Sequence, residues 1–369
     1  KIREGQTFHH TGNPVTADDF IYWFERAQGT KSGYLFNVNT AGITDWEKTG
    51  EYSIRLRFKQ RSPYFYALFR DQSQAPVDSK EMERHKTAGD PWATEWKAKH
   101  EAASGEYYVE RHRPGVETVL RAHPDYWGGK PYFERVVLKV VPSSANRALL
   151  LQRGSVDIAR DLSIDEIESL RDAPGVKVVS APTRDQYHLG LNNKKGPFKD
   201  PKVRQALSYA VPYEEIVKNV FKGEAVSPRS PIARAGQFHD GSAWPYRYDL
   251  DEAKRLLEEA GYGDGFSFRL ALESGNPITE ELAILLKDSF SQIGVDMTID
   301  KQSSAVFAER TDKREHEAWL RSILWYVDDP GYIGQTFYKC GALLNWMDYC
   351  NRKVDRLVEQ VVSLPIDDT

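Results

Sequence analysis

Residues 187–207 read YHLGLNNKKGPFKDPKVRQAL, and the character of the chain changes within this stretch. The first five residues are a β-type run, and residues 192–197 form a polar turn cluster that is the best linker candidate in the sequence. Asp200 and Pro201 then begin a long helical pattern that continues to Val220, with Pro212 inside it. The stretch therefore predicts a strand, a junction and a helix.

Strand and helix patterns alternate on both sides of this junction. Before it, we expect helices after the capping sequence of residues 16–19 and at 143–152 and 164–171, and β-type segments at 53–58, 107–110, 118–121, 135–141, 156–159 and 176–180. After it, we expect helices at 251–260 and 353–362, a βαβ unit over 266–299 and a buried strand over 319–326. Such alternation predicts an α/β protein with two lobes.

Composition excludes several classes of protein. The chain has 369 residues and a net charge of -4 with both signs interspersed, which lacks the basic surface of a nucleic-acid binder. Its longest apolar runs, such as residues 148–151, are too short to span a bilayer. No secretory signal is visible at Lys1. We therefore expect two domains, no nucleic-acid partner and no transmembrane segment.

Signatures of catalysis and of cofactor binding are missing. The sequence has no G-x-S-x-G turn and no phosphate-binding P-loop, and Gly261-Tyr262-Gly263 follows a helix, as a helix C-cap does. His9-His10 and His316-Glu317 lack the further ligands of a zinc helix. These absences predict a non-catalytic protein without a metal or other cofactor.

Two acidic residues and two cysteines remain open to more than one interpretation. Asp329 precedes Pro330 and suits a turn, whereas Asp328 or Asp329 beside Trp325 also suits a cleft that binds a cationic group. Cys340 and Cys350 fit either a small disulfide loop or two buried thiols.

Seven blocks of the chain, in order, match the pattern of one known family. The first is the opening KIREGQTFHHTGNPVTADDF, and the others lie at residues 104–109, 123–132, 154–157, 192–207, 248–262 and 325–330. In these blocks the chain resembles the family 5 extracellular solute-binding proteins of ABC importers, which take peptides, opines, oligosaccharides or nickel. The opening corresponds to that family's R-x-G-x-x-F-x-D-G-x-P-[VL]-T-A-x-D block. The match covers nearly the whole chain.

The resemblance implies a type II periplasmic-binding-protein fold with an extra subdomain in the first lobe. The first lobe would span residues 1–192, with an accessory subdomain at about 1–132 and a core segment at about 133–192, and the second lobe residues 193–369. Members of the family extend further at both ends, so we expect either a fragment or a first lobe that is incomplete at both chain ends. Asn192 and Asn193 would lie at the hinge about which the lobes close.

The resemblance also implies roles for individual residues. Asp328 would hold the ammonium group of a ligand, with Trp325 and Tyr326 as nearby walls. The strand that enters the hinge would add contacts from Asp185, Tyr187 and His188, for which ordinary strand packing is the alternative. Cys340 and Cys350 occupy the position of a family disulfide. The helix predicted near 279–293 offers no arginine for a ligand carboxylate, and Arg184 or Arg310 are the substitutes.

The function implied is that of a periplasmic or cell-surface receptor that captures a small solute by hinge closure and delivers it to an ABC permease. A short peptide fits the acidic site, sugars suit the many aromatic residues and an opine suits the charges, so the ligand stays open. We expect a monomer. A ligand-sensing regulatory domain on the same fold and a carboxylate-dependent hydrolase are the rival functions.

Overall fold

The computed structural model describes residues 1–31, 33–59, 65–69, 75–181, 183–234, 236, 238–325 and 327–363. The chain separates into two compact units, Lys1–Val140 and Val141–Thr369. The expected boundary between the lobes, at residue 192, is defined by a hinge. A division of the chain into compact units does not test a hinge, so this boundary stays a prediction. Across the described ranges, no helix is both long enough and apolar enough to cross a membrane.

The first unit combines short helices with two small antiparallel sheets. Its helices are α1 (Ala17–Thr30), α2 (Gly33–Thr40), α3 (Phe65–Leu68), α4 (Ser79–Arg84) and α5 (Thr94–Lys97). One sheet pairs β1 (Ile43–Gly50) with β2 (Ser53–Phe58), and the other contains β3 (Tyr107–Arg113), β4 (Glu117–Ala122) and β5 (Arg135–Lys139) in that order. The predicted capping residue Asp19 accepts a hydrogen bond from the Thr16 backbone N–H at 2.7 Å, which starts α1 where the sequence predicted it.

The second unit is organised around one four-stranded sheet. Its strands are β6 (Asp185–Leu191), β7 (Phe266–Glu273), β8 (Val295–Gln302) and β9 (Ala318–Leu324), in the spatial order β6-β9-β7-β8. Strand β7 runs parallel to β8 and to β9, whereas β6 runs antiparallel to β9. This mixture of strand directions, with helices between the strands, is the α/β architecture that the sequence predicted.

Helices and short helical turns surround this sheet. The α-helices are α6 (Ser144–Gln152), α7 (Ile164–Arg171), α8 (Pro201–Tyr209), α9 (Tyr213–Glu215), α10 (Leu250–Glu259), α11 (Pro277–Ser291), α12 (Ser304–Asp312), α13 (Pro330–Ile333) and α14 (Arg352–Val362). A 3₁₀ turn spans Gly196–Lys199, and π-helical turns span Ile216–Val220 and Gly334–Tyr338. The main core lies between one face of the sheet and helices α8, α10 and α11, where Leu207, Leu257, Leu270 and Leu286 are buried together.

Two expectations about secondary structure are wrong. Residues 156–159 and 176–180 form no strand, and Ile158 and Val179 are exposed. A strand needs a neighbouring backbone to satisfy its N–H and C=O groups, and no described strand pairs with either segment. The long helix expected from Pro201 instead ends at Tyr209 and resumes at Tyr213, because Pro212 has no N–H to continue the helical hydrogen bonds.

Candidate functional site

The carboxyl ends of three parallel strands meet at one edge of the second unit's sheet. Strands β7, β8 and β9 end there, and antiparallel β6 begins there at Asp185, which pairs with Leu324. Helices α11, α12 and α13 start within a few residues of those strand ends. Open α/β sheets bind ligands outside the carboxyl ends of their strands. This edge is therefore the candidate site.

Trp325 follows β9 at this edge, and its side chain is held by contacts with its neighbours. Its indole N–H donates to Gln186 Oε1 at 2.9 Å, and its ring meets Phe337 edge to face with centroids 4.5 Å apart. The side chain is only 2% exposed. Because both neighbours fix the indole, Trp325 holds the start of the loop that carries Asp328. The adjacent Tyr326 lies outside the described residues, and its predicted role as a wall of the site is untested.

Asp328 presents a carboxylate whose hydrogen bonding is incomplete. Its Oδ1 atom is covered, yet it accepts no hydrogen bond from any residue that the structure describes. Gly236 packs directly against this group, since a methyl carbon at Gly236 would lie 2.5 Å from Oδ1 and 2.8 Å from Oδ2. The backbone near Gly236 is held by a turn in which its N–H donates to the Ala233 carbonyl at 2.7 Å. The carboxylate thus has a fixed wall and an unused acceptor.

The neighbouring carboxylate of Asp329 has a different role. Its Oδ1 accepts hydrogen bonds from the backbone N–H groups of Gly331 at 2.8 Å and Tyr332 at 3.0 Å. This is the N-cap of α13, with Pro330 at the first helical position. Of the two interpretations left open by the sequence, the structure therefore places Asp329 in the turn.

Strand β6 divides the three contact residues predicted on it between two faces. Tyr187 points into the main core, where its ring lies 5.5 Å from that of Phe221 and burial raises its pKa to about 12. Asp185 is exposed and accepts a hydrogen bond from Ser322 Oγ at 3.1 Å. On the opposite face, the His188 ring meets the Trp325 ring edge to face at 5.5 Å.

His188 is the member of this trio that lies beside the tryptophan. Burial lowers its pKa to about 4, so the imidazole is neutral at neutral pH. Its Nε2 atom is covered and has no hydrogen-bond partner among the residues described. The structure thus brings His188 and Trp325 together and leaves Tyr187 in ordinary core packing, while the contribution of each to a ligand stays a prediction.

Asn192 and Asn193 fasten the end of β6 to other parts of the second unit. Asn192 is buried, and its side-chain amide donates to the Arg314 carbonyl at 3.3 Å. The Asn193 side-chain amide donates to the Met347 carbonyl at 2.9 Å. Both side chains thus satisfy irregular backbone where the strand ends. Their predicted role as a hinge concerns motion and stays a prediction.

The predicted disulfide between Cys340 and Cys350 is confirmed. It closes a loop organised by Asn345, which is buried and whose amide donates to the Lys339 carbonyl at 3.0 Å and the Tyr349 carbonyl at 2.6 Å. The Cys340 N–H donates to the Asp355 carboxylate in α14 at 2.9 Å. The bridge therefore pins this loop to the last helix.

A cleft of about 610 Å³ in the second unit was not predicted from the sequence. Its lining contains four cationic side chains and one carboxylate, which are those of Lys218, Lys222, Arg229, Arg234 and Glu214. Glu214, Lys218 and Lys222 follow one another at the four-residue spacing of a helix face, whereas Arg229 and Arg234 show no such spacing. No pattern in the sequence therefore joined the arginines to the lysines. The substitute proposed for a ligand carboxylate, Arg310, is already paired with Glu315 at 3.2 Å, and Arg184 is exposed.

Metal binding has no visible site in the described ranges. No group of three or more His, Cys, Asp or Glu residues there is arranged to hold a metal ion. His10 and His123 do lie beside His9 in the first unit, but both meet its ring edge to face, and Tyr108 stacks on that ring. Burial and the neighbouring His123 and His10 lower the pKa of His9.

Comparisons with known proteins agree along nearly the whole chain. A family model described as bacterial extracellular solute-binding proteins, family 5 middle, matches residues 1–344. The probable D,D-dipeptide-binding periplasmic protein DdpA of Escherichia coli K12 is 26% identical over 363 residues, which span 95% of this chain and 68% of that protein. The oligopeptide-binding protein AppA of Bacillus subtilis 168 is 26% identical over 396 residues, covering 99% of this chain and 69% of AppA.

A solved structure gives the same result for the fold. The periplasmic binding protein DppA of Helicobacter pylori, described as ABC transporter-associated and solved with the peptide STSA, superposes with a TM-score of 0.87. It is 24% identical in sequence, and the match covers 98% of this chain and 74% of that one. This likeness establishes the fold.

Proposed function

Because the chain belongs to the family 5 bacterial extracellular solute-binding proteins, we propose that it captures a short peptide, or another solute with a primary amine, at Asp328. Its fold is the type II periplasmic-binding-protein fold. The protein is an extracytoplasmic solute-binding protein of the kind that serves ABC importers. The identity of the solute and the residues that hold it are the proposal.

The observation that supports an amine ligand is the unused oxygen of Asp328. A covered carboxylate oxygen without a donor is costly, because it has lost water and gained no hydrogen bond within the described chain. A primary ammonium group brings three N–H donors and a positive charge, and its bonds to a carboxylate are charge-assisted. The fixed wall at Gly236 keeps the carboxylate in place to receive it.

Capture would proceed by closure of the two lobes about Asn192 and Asn193. A ligand that contacts both lobes only when they are closed binds that state more tightly and shifts the population towards it. A membrane permease would then recognise the closed form. The receptor would act as a monomer. No bond would be broken, and the engagement of Asp329 in the α13 cap leaves Asp328 without a matching carboxylate for acid–base chemistry.

Native mass spectrometry of freshly purified protein would identify a co-purifying solute. Isothermal titration of the tripeptide Ala-Ala-Ala and of its N-acetylated form then tests the amine, because acetylation removes the charge. We expect Asp328→Asn to weaken binding of the free tripeptide by about tenfold to a hundredfold, the value of a charge-assisted hydrogen bond. Asp264→Asn, an exposed aspartate elsewhere in the second unit, should leave affinity unchanged. Equal binding of the acetylated peptide would reject Asp328 as the amine site.

A further inference from the structure

Gln186 is a buried polar residue that contacts the tryptophan of the candidate site. It lies in β6, on the face of the sheet opposite the main core, and it is 6% exposed. Its Oε1 atom accepts the Trp325 indole N–H at 2.9 Å. Because an indole nitrogen only donates, this hydrogen bond fixes which end of the amide is the oxygen. The amide nitrogen, Nε2, is covered and has no hydrogen-bond partner among the described residues.

Stability alone would not favour a glutamine at this position. A covered N–H group without an acceptor costs free energy, because it has lost water and gained no partner. Methionine has nearly the same length and volume, and it would fill the position without an unpaired polar group. Gln186 therefore contributes something that its one hydrogen bond supplies and apolar packing does not.

This hydrogen bond acts at the place where the sheet stops holding the chain. Leu324 is the last residue of β9 that pairs with β6, where it lies opposite Asp185. Trp325 is the next residue, and its bond to Gln186 attaches the chain to β6 beyond the last backbone pair. Asp328 follows in the same loop. The position of the indole thus sets where the loop that carries Asp328 begins.

The ring contacts of Trp325 do not replace the hydrogen bond. His188 and Phe337 both meet its ring edge to face, with centroid distances of 5.5 Å and 4.5 Å. Contacts between aromatic rings are favourable over a broad range of centroid distances, roughly 4.5–7 Å. A hydrogen bond from nitrogen to oxygen is confined to roughly 2.7–3.2 Å. The Gln186 oxygen is therefore the contact that defines the place of the indole along its N–H direction.

We propose that Gln186 is a positioning residue, which holds Trp325, and through it Asp328, in place for the captured solute and lowers stability in doing so. This inference rests on the proposed function, since it concerns how the amine site at Asp328 is positioned. Gln186 acts through its oxygen and does not need to touch the solute. A substitution that keeps an acceptor at this place should preserve affinity, and one that removes the acceptor should not.

Two substitutions separate the role of the amide oxygen from that of the nitrogen. Gln186→Met removes both atoms, whereas Gln186→Glu keeps an acceptor for the indole and puts a second oxygen in place of the nitrogen. Isothermal titration with Ala-Ala-Ala should show affinity about tenfold weaker for Gln186→Met and no more than about twofold weaker for Gln186→Glu. Urea denaturation should show Gln186→Met to be at least as stable as the wild type, since the unpaired N–H group is gone.

A spectroscopic signature reports the hydrogen bond itself. In proton–nitrogen correlation NMR spectra, Trp325→Phe identifies the indole N–H resonance of Trp325. We expect that resonance to move upfield in Gln186→Met and to stay downfield in Gln186→Glu, because a hydrogen bond shifts the proton downfield. Asp312→Ala is the matched control, since the Asp312 carboxylate accepts the indole N–H of Trp346 at 3.1 Å. It removes an equivalent bond from another tryptophan and should leave affinity unchanged.

Three outcomes would overturn the inference. If Gln186→Met binds Ala-Ala-Ala as the wild type does, Gln186 does not position the site. If Gln186→Glu loses as much affinity as Gln186→Met, the amide nitrogen is required and not the oxygen. If Gln186→Met loses stability together with affinity, the hydrogen bond is structural. In each case the amine site stands as long as Asp328→Asn weakens binding, whereas a wild type that binds no peptide would reject both proposals.

Discussion

The two faces of the second unit's sheet are covered in opposite ways. On the apolar face, Leu270, Leu272 and Leu320 are buried against helices in the main core. On the polar face, four side chains have a covered nitrogen with no hydrogen-bond partner among the described residues, and these are Gln186, His188, Trp319 and Arg321. Native interiors rarely tolerate such atoms, so their concentration on one face needs an explanation.

The contrast teaches that one face sets stability and the other sets the shape of the site. Apolar burial is favourable wherever it occurs, whereas an unpaired polar nitrogen costs free energy that the rest of the fold must offset. The polar face continues into Trp325 and towards Asp328, at the sheet edge where a ligand would bind. The predictions below separate these two contributions.

The largest expected effect lies on the apolar face. Leu270 is 0% exposed, so Leu270→Ala leaves a cavity in the core. We expect the free energy of unfolding to fall by about 3 kcal/mol. Leu324→Ala, on the same sheet but at a position 47% exposed, should cost less than about 1 kcal/mol. Urea denaturation measures both, and similar losses for the two variants would contradict the assignment of the core to this face.

A smaller effect, dependent on pH, is expected on the polar face. The pKa of His188 is about 4 in the folded protein and near its ordinary value of 6.5 when unfolded, so the unfolded state binds an extra proton between these pH values. The stability due to neutral His188 is therefore fully present above pH 6.5 and is lost as the pH falls towards 4. Between pH 7 and pH 5 this loss amounts to about 2 kcal/mol.

Comparison with His188→Gln isolates this contribution. Denaturation at pH 7 and pH 5 should show a smaller decrease in stability for His188→Gln than for the wild type. His112→Gln, at an exposed histidine on β3, should keep the pH dependence of the wild type. If His188→Gln lost as much stability between pH 7 and pH 5 as the wild type, the pKa of His188 would not be lowered in the folded wild-type protein.

Much of this architecture could be predicted because it follows local patterns. The capping sequence at residues 16–19 predicted the start of α1, local periodicity predicted α7 at Ile164–Arg171 and the βαβ unit that ends in β8, and a run of apolar residues predicted β9. Segment 156–159 was wrong because whether a β-type run becomes a strand depends on a partner strand distant in sequence. Successive side chains of a strand point to opposite faces, so Tyr187 and His188 of β6 lie on different faces of the sheet. The sequence-based prediction grouped them because they are adjacent in the chain.

Local patterns could not predict the cleft that Arg229 and Arg234 line, nor the wall of Asp328. The contact of Gly236 with Asp328 joins positions far apart in the chain, and the local sequence at neither position predicts the contact. The packing of Gly241 against Arg229 likewise depends on an irregular backbone path. Such contacts arise from tertiary structure, in which the backbone folds back on itself without a repeating pattern.

Gly236 provides the smallest expected change in stability and the sharpest test of the comparison between the faces. A methyl group at this position would overlap the Asp328 carboxylate at 2.5 Å, so Gly236→Ala must displace the carboxylate or the turn that holds Arg234. We expect the free energy of unfolding to fall by about 1 kcal/mol, the lower end of the cost of an added methyl group, because the overlap involves the end of the Asp328 side chain together with the Ala233 carbonyl oxygen at 2.9 Å. Affinity for Ala-Ala-Ala should fall by about tenfold, since the acceptor no longer occupies its place.

Gly89→Ala is the matched control, because a methyl group there meets no atom within 4 Å. It should alter neither stability nor affinity. If Gly236→Ala bound the tripeptide as the wild type does, the wall would not position Asp328, and the incomplete hydrogen bonding of that carboxylate would not serve an amine. If instead Gly236→Ala lost as much stability as Leu270→Ala, the loop that carries Asp328 would contribute to stability as the apolar core does. The assignment of stability to one face and of the site to the other would then be wrong at this edge of the sheet.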